Sequence, residues 1–320
     1  MKRIGVLTSG GDAPGMNAAV RAVVRGAIYH GLEVYGIERG YEGLINGEIK
    51  PFTVTSVADT IQRGGTMLRT ARSEAFRTPE GFARALSMLQ NFGIEGLVVV
   101  GGDGSLTGGL KLSEAGITVM GLPGTIDNDL AYTEYTIGFD TAVNTALNAI
   151  ANIRDTSSSH GRGTVVEVMG RNCGDIALHA GLAGGAEVVL IPEEEPDINE
   201  ICRKLVEGRN RGKRHSLIIR AEGARIGTEE LARIIGERTG IEIKVVVLGY
   251  VQRGGAPTAR DRLLASQTGY RAIELFLAGS GSRAIGIQGS EIVDYDLKEA
   301  LAMKRTVDPK LVSLANILSI

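Results

Sequence analysis

Tryptophan is absent from the 320 residues, and Phe, Trp and Tyr together make up only 4% of the chain. Cysteine is nearly absent, with Cys173 and Cys202 alone. Two thiols in a chain of this length exclude a disulfide-framed secreted domain and suggest a reduced, cytoplasmic setting. No apolar run approaches the roughly 18 residues that a membrane span needs. The opening MKRIGVLTSGGD enters a glycine turn too early for a signal peptide, so none is expected. An excess of either charge is missing too: 35 Lys and Arg face 37 Asp and Glu, a net charge of −2. Bulk electrostatics therefore supports neither a nucleic acid nor a membrane partner, and any anion site must come from local Arg and Lys clusters.

What is abundant is glycine, 45 residues, about twice the usual share. With 43% hydrophobic and 22% charged residues the chain can bury a sizeable core, and its length predicts two domains. Short apolar runs alternate with helical patterns. Ile4–Leu7, Val34–Ile37, Leu97–Val100, Ile117–Gly121, Val165–Met169, Val188–Ile191, Leu217–Ile219, Val245–Leu248 and Ala284–Ile287 read as parallel strands covered on both faces. Helices are predicted over Met16–His30, Pro79–Asn91, Asp140–Asp155, Asn199–Asn210, Glu229–Thr239 and Ala259–Ala278. On the first of these Val20, Val23, Val24, Ala27 and Ile28 share one face. The alternation implies a doubly wound α/β fold. The turn after Asp129 and the segment near Gly254 are the candidate domain boundaries.

Three segments carry chemistry. The first strand runs into Thr8-Ser9-Gly10-Gly11-Asp12-Ala13-Pro14-Gly15 and then a helix. A glycine turn at a helix start aims backbone N–H groups and the positive helix end at an anion, although such turns also serve packing alone. A second strand ends in Gly101-Gly102-Asp103-Gly104-Ser105. Asp103 suits Mg²⁺, which prefers oxygen ligands; capping the next helix is its alternative role. The third segment is Pro123-Gly124-Thr125-Ile126-Asp127-Asn128-Asp129. Residues two apart in extended backbone point the same way, so Asp127 and Asp129 can face one site, one taking a proton. A solvated Asx-rich turn is the alternative.

Together the GGDG and TIDND segments resemble the bacterial ATP-using 6-phosphofructokinase family. Met169-Gly170-Arg171, Ala221-Glu222-Gly223 and Val251-Gln252-Arg253-Gly254-Gly255 extend the likeness over essentially the whole chain. The resemblance implies an α/β fold of two doubly wound, mainly parallel-sheet domains. Residues 1–138 with about 257–305 are expected to bind ATP, and 139–256 with the tail 306–320 fructose 6-phosphate. It implies transfer of the γ-phosphoryl of ATP to the sugar 1-hydroxyl, the committed step of glycolysis. Gly11, Tyr41, Arg72, Ser73, Gly102, Asp103, Gly104 and Ser105 fall on nucleotide positions, with Mg²⁺ at Asp103. Asp127 matches the general base, Thr125 and Asp129 its neighbours, and Arg72 and Arg171 the cations around the moving group. Ile126, Arg162, Met169, Gly170, Glu222, Lys244, Tyr250, Val251, Gln252 and Arg253 fall on sugar-phosphate positions.

The resemblance also implies a cytoplasmic homotetramer with shared active sites, Arg162 and Lys244 reaching across an interface. An effector site for ADP and phosphoenolpyruvate is expected at Arg21, Val23, Arg25, Asp59, Arg154, Gly185, Glu187, Arg211, Lys213, Arg214 and His215. A solvated basic face is the other reading of Arg21 and Arg25. The chain departs from the family's usual Arg at Lys244, its usual His at Tyr250, and the Arg that many regulated relatives carry at Val54. Pyrophosphate-using siblings carry Asp at the position of Gly104 and Lys at that of Gly124, so two glycines favour ATP. A pyrophosphate-using enzyme, a lipid or NAD kinase with a GGDG-type loop, and a non-catalytic nucleotide sensor are the rival readings.

Overall fold

The computed structural model describes residues 1–319. In chain order its elements are β1 (Arg3–Thr8), α1 (Met16–Tyr29), β2 (Glu33–Ile37), α2 (Gly40–Asn46), β3 (Ile49–Phe52), α3 (Pro79–Asn91), β4 (Gly96–Gly101), α4 (Asp103–Glu114), β5 (Thr118–Thr125) and β6 (Ile137–Gly138). There follow α5 (Phe139–His160), β7 (Gly163–Val168), α6 (Asp175–Gly184), β8 (Val188–Leu190), α7 (Ile198–Asn210), β9 (Ser216–Ala221), α8 (Thr228–Thr239) and β10 (Ile243–Val247). The chain closes with α9 (Ala259–Leu277), β11 (Arg283–Gln288), β12 (Glu291–Asp296), α10 (Leu297–Ala302) and α11 (Pro309–Leu318). Among the described residues no helix is long and apolar enough to cross a membrane.

Two compact units emerge. The first comprises Met1–Thr141 and Arg253–Arg305, the second Ala142–Gln252 and the stretch from Thr306 onward. The chain passes from one to the other inside α5, and not in the turn after Asp129. Asn128 anchors that turn within the first unit. Its amide donates to the Glu134 carbonyl at 3.0 Å and accepts from the Thr136 N–H at 3.0 Å. Asp261 then fixes the start of α5, accepting from the N–H groups of Gly138 (2.9 Å) and Thr141 (2.8 Å) and from the Thr141 hydroxyl (2.5 Å).

The first unit holds an eight-stranded sheet in the order β12-β11-β5-β4-β1-β2-β3, with β6 beside β5. All pairs are parallel except β2–β3 and β11–β12 at the edges. The apolar runs explain this placement. Leu97, Val98, Val99 and Val100 are all fully buried, because neighbours in sequence point to opposite faces and both faces are covered. Val20, Val23, Val24 and Ala27 of α1 are buried as the helical period predicts. Each such Val contributes about 1.5–3 kcal/mol over leaving it exposed. The strand expected over Ile117–Gly121 runs on to Thr125, since pairing with β4 continues to Pro123 opposite Gly101 and β6 then pairs with Gly124 and Thr125.

In the second unit β10-β7-β9-β8 form an all-parallel sheet. Strands β7 and β9 are neighbours in register, Val168 opposite Ala221. Right-handed crossovers send the helix after β7 and the helix after β9 to opposite faces. The turns at Met169 and Glu222 therefore stand side by side where the sheet's winding reverses, the place where such sheets bind ligands.

Candidate active site

The winding of the first sheet reverses between β1 and β4, which are hydrogen-bonded neighbours whose chains leave in opposite directions. A cleft of about 610 Å³ opens there, at the carboxyl ends of the strands. Gly10, Gly11 and Asp12 after β1, Gly102 to Ser105 after β4, Gly124 and Thr125 at the end of β5, and Ile126, Asp127 and Asp129 after it all line it. The three motifs thus meet in one cavity, joined by Tyr41, Arg72, Ser73 and Arg253. Gly10 has φ +87°, a left-handed conformation that favours glycine. Asp103 is the first residue of α4, after the cap position at Gly102, and makes no capping bond. Its carboxylate is thus not spent on ending the helix.

The two acids of the third segment do not converge by strand alternation. Asn128, between them, has φ +52°, so the backbone is not extended there. Asn tolerates this conformation, and its buried side chain holds the turn so that Asp127 and Asp129 line the same wall. The Asp127 N–H donates to the Thr125 hydroxyl at 3.2 Å. Beneath them Tyr132 is buried; burial raises its phenol, and the negative charges of Asp103 and Asp129 push the same way.

Gly104 and Gly124 differ sharply. A Cβ on Gly104 would meet no atom within 4 Å, so the space belongs to the cleft. A Cβ on Gly124 would lie 2.9 Å from Val100 Cγ1 and 3.1 Å from the Gly101 nitrogen. Packing alone thus demands glycine at 124, and only Gly104 speaks directly about the space for a ligand.

Arg72 is presented by a loop that buried polar groups hold. Asn17 donates to the carbonyls of Arg63 (3.1 Å) and Gly64 (3.2 Å) and accepts from the Met67 N–H (2.7 Å). The Thr8 hydroxyl donates to the Arg69 carbonyl at 2.8 Å. Tyr41 is buried, stacks on Phe76 with centroids 4.2 Å apart, and donates to the Ser105 carbonyl at 2.6 Å. Ser73 donates to Glu42 at 2.6 Å. Both hydroxyls are therefore engaged within the protein. Thr107 and Lys111 also line the cleft and went unnoticed in the sequence. Their signal was the helical period, since they stand four and eight residues after Asp103.

The sugar-phosphate candidates divide between the units. Thr125, Ile126, Asp127 and Arg253 belong to the first. Arg253 lies beside Gly11, its Nη1 3.6 Å from where a Cβ there would stand. Arg162, Met169, Gly170, Arg171, Glu222, Lys244, Tyr250, Val251 and Gln252 belong to the second. There the Met169 N–H donates to Gln252 Oε1 (2.9 Å), Glu222 N–H to the Val168 carbonyl (2.8 Å) and Gly223 N–H to the Gly170 carbonyl (3.1 Å). Arg162 and Lys244 both bind Glu242, at 2.8 and 2.9 Å. The hydrogen bond from Lys244, with the charge of Arg162, holds Glu242 below the usual carboxylate range. Tyr250 is 82% exposed.

Of the effector candidates, Arg21, Val23, Arg25 and Asp59 lie in the first unit and the others in the second. Val23 is fully buried, so its side chain belongs to the core and cannot meet a ligand. Glu187 is buried between Lys213 Nζ (3.0 Å) and the Leu217 N–H (2.6 Å). Arg154 donates to the carbonyls of Gly184 and Gly185.

Residues 3–276 match the family model described as phosphofructokinase. A protein of Alkaliphilus metalliredigens named ATP-dependent 6-phosphofructokinase is 60% identical over the full length of both chains. One of the same name from Clostridium tetani is likewise 60% identical, again over both full lengths. The solved structure of phosphofructokinase from Saccharomyces cerevisiae aligns with a TM-score of 0.90 at 37% identity. It covers 100% of this chain and 48% of the yeast chain, so the chain spans about half that length. A pyrophosphate-dependent phosphofructokinase from Marinobacter aquaeolei aligns with a TM-score of 0.85 over 96% of this chain and 86% of that one. At 24% identity that likeness concerns the fold alone.

Proposed function

The chain belongs to the phosphofructokinase family and is an ATP-dependent phosphotransferase acting on fructose 6-phosphate, and we propose how its two units share that work. The γ-phosphoryl of ATP passes to the sugar 1-hydroxyl, giving fructose 1,6-bisphosphate and ADP. The first unit holds the nucleotide. Main-chain N–H groups at Gly11 and at Gly102 to Gly104, with the positive end of α4 and Ser105 beside them, face its phosphates. Tyr41 and Ser73 shape the cleft through their bodies, because their hydroxyls are engaged.

Asp127 accepts the proton of the 1-hydroxyl as its oxygen attacks the γ-phosphorus and the bond to the β-phosphate oxygen breaks. Thr125 fixes the Asp127 backbone, and Asp129 flanks it. Arg72 and Arg171 supply positive charge to the moving group, the chief demand of phosphoryl transfer. The donor set suits Mg²⁺, which takes one or two carboxylates plus substrate phosphates. Asp103 and Asp129 face one cavity, and Asp103 has no capping duty. With Asp103 and Asp129 as its holders, Mg²⁺ would supply charge neutralisation for the nucleotide phosphates. Arg162, Met169, Gly170, Arg171, Glu222, Lys244, Tyr250, Val251, Gln252 and Arg253 are the residues proposed to hold the sugar phosphate.

The proposal extends to a cytoplasmic homotetramer in which Arg162 and Lys244 serve a neighbouring subunit's sugar site. It includes an effector site for ADP and phosphoenolpyruvate around Arg21, Arg25, Asp59, Arg154, Gly185, Glu187, Arg211, Lys213, Arg214 and His215, its response altered by Val54. One observation carries the catalytic assignment: the turns after β1, β4 and β5 bring Asp103, Asp127 and Asp129 to one glycine-lined cleft. Its test is Asp127→Asn. Turnover should drop by roughly two to four powers of ten, as for loss of a general base, while ATP binding measured by calorimetry persists. Near-normal turnover removes Asp127 from the mechanism. The same assay with pyrophosphate as donor should give negligible rates.

A further inference from the structure

Arg220 lies on β9, directly opposite Glu167 of β7, and is 5% exposed. A buried guanidinium is costly unless its donors are satisfied. Here they are satisfied almost wholly by one turn. Nε donates to the Ile226 carbonyl at 2.6 Å. Nη2 donates to the carbonyls of Ala224 (2.9 Å) and Glu222 (3.3 Å). Nη1 donates to Glu167 Oε2 at 2.8 Å, and the Thr228 hydroxyl at the start of α8 donates to the same oxygen. The turn wraps the planar fork, and no other side chain offers that set of donors.

That turn carries Glu222, and it rests on the chain around Arg171. A Cβ on Gly223 would stand 1.9 Å from the Arg171 carbonyl oxygen, and the Gly223 N–H bonds the Gly170 carbonyl at 3.1 Å. Only glycine allows this approach. We propose that the buried Arg220–Glu167 pair is a positioning device for the known reaction, setting Glu222 against the Gly170–Arg171 segment so that the sugar phosphate meets a preformed site. The inference rests on the reading of Glu222 as a sugar ligand. Nothing in the sequence patterns singled out Arg220, which looks like one polar interruption of an apolar strand.

The device acts before chemistry, on the geometry that receives the sugar. Its loss should therefore appear in the KM for fructose 6-phosphate more than in kcat or in the KM for ATP. Full-length Arg220→Met should raise the sugar KM by about tenfold, in line with the cost of misplacing a binding group, with kcat and the ATP KM within about threefold. Arg220→Lys keeps the charge opposite Glu167 but not the fork, and should fall between Met and Arg. The double variant Glu167→Gln/Arg220→Met leaves no buried unpaired charge, and keeps the test usable if the single Met variant fails to fold. It should still show the raised sugar KM. Normal sugar KM in a folded Arg220 variant, whatever its melting temperature, overturns the proposal and leaves Arg220 a purely structural residue. Glu222→Gln serves as the reference. If it raises the sugar KM while the Arg220 variants do not, the clamp alone fails. If it leaves that KM unchanged, the sugar-site reading of Glu222 fails and the clamp's proposed route fails with it.

Discussion

The two units meet anionic ligands with different materials. In the first, the candidate phosphate site consists largely of main chain: glycine turns after parallel strands and the start of α4. In the second, three of the candidate cations are already held by carboxylates of the same chain: Arg162 and Lys244 share Glu242, and Lys213 holds Glu187. A main-chain site needs no rearrangement to receive a phosphate and has no titrating donor. A site of ion pairs must release one anion to bind another, so its affinity depends on pH, salt and the identity of each side chain.

After the loss of Asp127, the largest expected effect falls on the exception in the first unit, its one proposed catalytic cation. Arg72→Met should lower kcat by about 10²–10³-fold, the usual loss for one group aimed at transition-state charge, with little change in ATP affinity because the main chain binds the phosphates. A large rise in the dissociation constant for ATP, measured by titration calorimetry, would break the contrast. Next is Gly124→Ala. The added methyl meets Val100 and the Gly101 backbone, so the variant should lose about 1–3 kcal/mol of stability in denaturant titrations, as overpacked sites do. Gly104→Ala enters open cleft and should stay within about 0.5 kcal/mol of the parent. Equal losses would mean that neither glycine reports on the ligand space.

Smaller still is Lys244→Arg. The sugar 6-phosphate is remote from the reacting hydroxyl, so its contacts act alike in ground and transition states and change KM more than kcat. One further charge-assisted hydrogen bond, on the order of 1 kcal/mol, should lower the sugar KM several-fold. An unchanged or raised KM in steady-state kinetics would show a site rebuilt around Lys, with Glu242 as its fixed partner. The smallest effect concerns pH. Glu242 is depressed in the folded chain, so its ion pairs stabilise above its unfolded pKa of about 4.3. That contribution fades as pH falls through the depressed folded value. Melting curves at low pH should show Glu242→Gln converging with the parent there, whereas a gap persisting in acid would assign it another role.

The sheets and most helices were legible because fully buried parallel strands leave apolar runs and amphipathic helices leave a period. Among the strands, what escaped was polar or short. β3 carries Lys50 and Pro51, and β12 reads Glu-Ile-Val-Asp-Tyr-Asp, so neither shows a buried-strand run. In the site, the three loops were visible because glycine and aspartate at strand ends are informative residue types. The geometry that joins Asp127 to Asp129 was not, since it depends on Asn128 adopting a left-handed backbone. Val23 departs from the expected effector set for the opposite reason: Arg21 and Arg25 reach solvent, but the helix turns Val23 and Val24 between them inward.

The edges of the large sheet carry one more consequence. A strand edge is a template for a stray chain, and parallel β-proteins must guard it. Here both outermost strands run antiparallel to their neighbours. On one, Pro51 lacks an N–H and Lys50 brings charge; on the other, Glu291 and Asp296 repel an acidic newcomer. An incoming strand finds an incomplete ladder on one side and like charge on the other. The sheet is thereby capped against fibrillar growth at both ends, even though its interior strands are among the most apolar and glycine-rich stretches of the chain.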